Sequence, residues 1–126
     1  MKLFIIATIA LVGVSRQKCN KEKFTVNCFK GRLEIKGICS NYTIKLLQGN
    51  IDTSKIAATW KDDVTQKTYN NVFALGSPCS FPSSINAGDE FYFALSDEVQ
   101  NCAVCLAYYP HPSKAVSIKV LDKTCN

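Results

Sequence analysis

Phe91-Tyr92-Phe93-Ala94-Leu95, then Cys102-Ala103-Val104-Cys105-Leu106-Ala107-Tyr108-Tyr109, then Ala115 to Leu121, are the stretches on which the fold turns. Each run is short, apolar and rich in aromatic or β-branched residues, and polar connections separate them. Runs of four to eight residues with that composition read as strands. The spacing therefore predicts three consecutive strands at the end of the chain, the middle one opening on a C-x-x-C.

The same reading extends upstream. Phe24 to Phe29 alternates apolar and polar residues, Lys30-Gly31 supplies a turn signal, and Arg32 to Ile38 alternates again, as a hairpin with one wet face should. Tyr42 to Leu47 is a further strand. Ile56 to Trp60 and Thr68 to Leu75 face each other across the polar connection Lys61 to Lys67, and Gly76 to Ser84 is a loop by its prolines and serines. No segment holds a 3.6-residue period over a helical length. These eight runs predict an all-β fold, a small disulfide-stabilised antiparallel β-sandwich or partly open barrel of about eight strands.

The first residues read as an address. Met1-Lys2 is a short basic start, Leu3 to Val14 is apolar, and Gly13 and Ser15 place small residues at a cleavage site. That pattern is a secretory signal peptide over residues 1–15, too short for a membrane anchor. The remainder, 16–126, is the size of one cysteine-rich β domain. The expected location is extracellular. In an oxidising compartment Cys19, Cys28, Cys39, Cys79, Cys102, Cys105 and Cys125 are disulfide candidates, and Cys28 with Cys39 would close the first hairpin. Seven is odd, so a disulfide-linked homodimer through the remaining cysteine is expected as one outcome.

Charge is unevenly spread. Between Arg16 and Asn50 eight basic residues face only Glu22 and Glu34, whereas Lys67 to Lys114 encloses no Lys or Arg. The basic residues are too dispersed for a nucleic-acid stripe. They suit an anionic cell-surface component, while the chain as a whole suits an extracellular or host protein partner; no membrane span is expected. Asn41-Tyr42-Thr43 is a glycosylation sequon and marks Asn41 as a surface position.

Catalytic signals are weak. Residues three apart in a strand point to opposite faces, so Cys102 and Cys105 are expected in different disulfides and not as a redox pair. A zinc site from Cys79, Cys102, Cys105 and Cys125 or His111 lacks the second close cysteine pair that structural zinc uses. His111, the one histidine, sits between two prolines with no orienting partner in sequence. The pairs Asp62-Asp63, Asp89-Glu90 and Asp97-Glu98 read as solvated charge. No enzymatic activity, metal or cofactor is expected. Trp60 reads as a core or rim anchor. Tyr92, Tyr108, Tyr109 and His111 form the candidate contact surface, since tyrosine supplies contact area at low entropic cost. The expected function is a secreted interaction module of the small effector or toxin type. A carrier of a small apolar ligand comes second, and a small secreted hydrolase third.

Overall fold

The structure is a computed structural model that describes residues 27–125; the signal segment, Cys19 and the run Phe24 to Val26 lie outside them. Seven strands are present among the described residues: β1 (Phe29–Lys36), β2 (Tyr42–Gln48), β3 (Ala57–Lys61), β4 (Thr68–Leu75), β5 (Glu90–Leu95), β6 (Ala115–Val116) and β7 (Ile118–Leu121). Single 3₁₀ turns occupy Ile38–Ser40 and Pro78–Ser80. The all-β expectation holds.

Alternation along each strand explains the core. On β1, Phe29, Gly31 and Leu33 face inward; Phe91 and Phe93 do so on β5, Ile44 on β2 and Ile118 on β7. The register of β1 against β2 shifts between Leu33 and Ile35, which bends the strand around the core. Phe93 lies at the centre, its ring 5.4 Å from Phe29 and 5.9 Å from both Phe73 and Phe91. These aromatics, with Leu33, Ile44, Val116 and Ile118, fill the interior.

The sheet runs β3-β4-β2-β1-β5-β7, every neighbour antiparallel. It then curls back on itself. β6 and β7 are one bent strand interrupted at Ser117: β7 pairs with β5, while β6 pairs parallel with the end of β4. The ladder thus returns to β4, giving the partly open barrel form of the expected architecture, with β3 outside the ring as an edge. Ser77 fixes the bend. Its hydroxyl donates to the Ile118 carbonyl and accepts from the Ile118 amide, both at 2.8 Å, and it is buried.

Two expectations fail. Lys30-Gly31 is not a turn but lies inside β1, opposite Tyr92 and Phe91. A Cβ on Gly31 would come within 2.9 Å of the Phe93 ring, so this glycine permits close strand packing. Cys102 to Tyr109 is not a core strand. It is an irregular and almost wholly exposed segment with no strand in it.

Candidate functional site

Residues 97–113 leave the barrel between β5 and β6 and return to it. Among the described residues they make no backbone–backbone hydrogen bond, and 103–112 contain neither turn nor bend, so the backbone runs open with its amides and carbonyls turned to solvent or to side chains. Val99 to Ser113 carries no Asp, Glu, Lys or Arg. Leu106 is 95% exposed, and Val99, Val104 and Tyr108 are exposed beside it. Apolar side chains so presented are ordinary singly, and a row of them on one segment makes it the candidate contact element.

What holds this segment is covalent. Cys102 bridges to Cys79 and Cys105 to Cys39. The C-x-x-C therefore feeds two disulfides, each reaching a 3₁₀ turn. At the Ile38–Ser40 turn, Cys39 and Ser40 take left-handed backbone angles (φ 56° and 60°), and the exposed Ile38 stands beside the bridge. Polar contacts add to the bridges. The Gln100 side-chain carbonyl accepts from the Cys79 amide at 2.8 Å. The Asn41 amide donates to the carbonyls of Ile38 (2.7 Å) and Ala107 (2.8 Å). Beyond Tyr108 the segment re-enters the fold: the Tyr109 ring packs at Gly37, and Pro112 is fully buried.

The residues expected at a contact surface separate. Tyr108, Tyr109 and His111 lie together on this segment, the Tyr108 and His111 rings 5.4 Å apart. His111 is half-buried, and its Nδ1 lies 2.8 Å from the Pro112 carbonyl oxygen, to which it donates when protonated. Tyr92 is elsewhere. It pairs with Lys30, whose ammonium lies 5.7 Å from its ring, while Tyr109 sits at Gly37, about 20 Å further along β1 at the usual strand rise. Asn41 is half-buried, and its side-chain amide donates to the Ile38 and Ala107 carbonyls. Trp60 stacks on Tyr69 at 5.8 Å on the β3–β4 hairpin, away from the barrel core.

No protein-family model matches the chain, and neither a curated protein nor a solved structure is similar to it. The site must be read from its own chemistry.

That chemistry disposes of several sequence candidates. Cys28 bridges to Cys125 and not to Cys39, because β1 continues through Lys30-Gly31 where a turn was expected. Cys79, Cys102, Cys105 and Cys125 are all oxidised, so none is a thiolate ligand for zinc. Among the described residues six cysteines pair with one another; Cys19 lies outside them. Asp62 is buried and caps its own turn, accepting from the Val64 amide and the Thr65 hydroxyl at 2.9 Å each. Asp89 accepts from the Asn86 amide, and Glu90 pairs with Lys30 at 3.6 Å. Three of the four basic side chains on β1 and β2 are engaged as well. Besides Lys30, Arg32 pairs with Glu34 at 2.7 Å, and Lys36 donates to the Ser83 and Ile85 carbonyls and the Asn86 side chain. The sequence reading missed Leu106, Val104, Val99 and Ile38, and the clamping role of Asn41. The charge-free run between Glu98 and Lys114 was the signal.

Proposed function

We propose that the chain is an exported, disulfide-stapled binding protein that engages a partner protein through residues 97–113. The observation that carries this reading is the row of exposed apolar side chains on Val99 to Ser113, a run without Asp, Glu, Lys or Arg that two disulfides tie down. A segment ordered before it meets its partner loses little entropy on binding, so its contacts are retained in the affinity. Burying an exposed leucine contributes about 1.5–3 kcal/mol, and Val104 and Tyr108 add to it. The filled interior favours surface binding over carriage of an apolar ligand. The engagement of the β1 basic residues with carboxylates and carbonyls favours a protein over an anionic surface.

The test is saturable binding of the fluorescently labelled protein to cells, competed by unlabelled protein. Val104→Asp with Leu106→Asp should reduce binding by about tenfold or more, a loss of at least about 1.4 kcal/mol. The melting temperature should stay within about 2 °C, because exposed substitutions away from special features rarely change stability. Undiminished binding by a folded double variant sinks the reading.

A further inference from the structure

The geometry points to a specific occupant for this segment: the active-site cleft of an endopeptidase whose primary pocket is apolar, with Leu106 in that pocket. The inference rests on the reading of residues 97–113 as the contact element and names the partner's chemistry.

Both sides of Leu106 are held by one turn. On its N-terminal side, Cys105 is bonded to Cys39. On its C-terminal side, the Ala107 carbonyl accepts from Asn41 at 2.8 Å, and Asn41 lies two residues from Cys39. Leu106 itself is 95% exposed and projects from an open backbone without turn or bend. An endopeptidase cleft takes that presentation: a main chain outside any helix or ladder, and one exposed side chain that enters the primary pocket. No charge from Val99 to Ser113 opposes entry into an apolar cleft.

The same clamps change the outcome of the reaction. Hydrolysis breaks the bond between the Leu106 carbonyl carbon and the Ala107 nitrogen. Water supplies a hydroxyl to Leu106, giving a carboxylate, and the proton balance leaves an amine on Ala107. In an ordinary substrate the two products diffuse apart. Here the carboxylate stays on the Cys39–Cys105 bridge and the amine stays beside Asn41. Groups held in place in this way react with effective molarities far above any solution concentration, so the bond re-forms with release of the water. The segment therefore occupies the cleft and leaves it slowly, acting as an inhibitor instead of a substrate.

Chymotrypsin, with its hydrophobic primary pocket, and trypsin, with an acidic one, are the probes. The disulfide-intact protein should competitively slow chymotrypsin on a small chromogenic substrate and leave trypsin unaffected. Leu106→Lys should transfer the inhibition to trypsin, and Leu106→Asp should weaken it by about tenfold or more for either enzyme. Prolonged incubation should add the mass of one water, and only reduction should then release two fragments, ending at Leu106 and starting at Ala107. Asn41→Ala should raise the rate at which this cut form accumulates, again by about tenfold, since the amine is no longer held. Failure of wild type to inhibit chymotrypsin together with failure of Leu106→Lys to inhibit trypsin overturns the inference. So does rapid cleavage with loss of the inhibition. If either occurs while cell binding still requires Val104 and Leu106, the binding reading stands and only the endopeptidase assignment falls.

Discussion

Gly37 shows how one residue sets the position of the proposed contact segment. Its backbone is extended (φ −70°), so the demand is space and not an unusual angle. A Cβ there would lie 2.8 Å from Cδ1 of Tyr109 and would also press on the Asn41 carbonyl. Gly37→Ala should therefore displace Tyr109. Overpacking of this kind costs about 1–3 kcal/mol, which thermal denaturation will read as a lowered midpoint. Tyr69 offers a second test, in the alkaline range. Burial pushes its phenol above the ordinary value of 10.0, and the carboxylates of Asp62 and Glu34 push the same way. The folded state therefore binds this proton more tightly than the unfolded chain does. Stability linked to Tyr69 is complete below pH 10 and declines as pH rises through the folded value. An absorbance titration of the five tyrosines should lose a late-ionising phenol in Tyr69→Phe. The alkaline fall in stability should be shallower in that variant.

At the scale of elements, the sequence disclosed the strands whose alternation meets a core on one side only. Tyr42 to Leu47, Ile56 to Trp60, Thr68 to Leu75 and Phe91 to Leu95 all lie where their patterns placed them. It misled at Lys30-Gly31, because a turn signal and a close-packed strand glycine look alike until Phe93 is placed. It misled again at Cys102 to Tyr109. An apolar run buried in a sheet and an apolar run held in water by disulfides have the same composition, and the difference lies in the bridges to Cys39 and Cys79, which sequence does not reveal. Two residues of the sequon sharpen the point. Both protons of the Asn41 amide are used, toward Ile38 and Ala107, and a glycan would replace one. Thr43 is fully buried, and its hydroxyl has no hydrogen-bond partner. The protein secreted from eukaryotic cells should accordingly carry Asn41 unmodified in its folded form, as intact-mass measurement will show. Thr43→Val abolishes the sequon while keeping Asn41. It should leave the segment in place and raise stability by about 1 kcal/mol, because an orphaned buried hydroxyl is costly.

For the molecule as a whole, the closed ladder and the three bridges divide the labour. Nothing in Ala115 to Leu121 marks Ser117 as a break, since only the buried Ser77 on the far side of the chain makes it one. The Cys28–Cys125 bridge joins the residue before β1 to the end of the chain beyond β7, across a separation of 97 residues. It ties the two ends of the barrel together and bonds to none of residues 97–113. Cys79–Cys102 spans only 23 residues, but it anchors that segment. Loop-closure entropy grows with the logarithm of the enclosed length, so the long bridge should stabilise by about 1 kcal/mol more than the short one, out of about 4–5 kcal/mol in total. Binding should rank in the opposite order. Cys28→Ser with Cys125→Ser should lower the denaturant midpoint the more, yet keep cell binding and chymotrypsin inhibition wherever the protein remains folded. Cys79→Ser with Cys102→Ser should lower the midpoint less and weaken both, because the part of the segment before Cys105 loses its covalent anchor while Cys39–Cys105 and Asn41 still hold Leu106. If the two pairs lost stability and binding in the same order, scaffold and contact element would be one cooperative unit, and the barrel could not be regarded as a platform for a separately held segment.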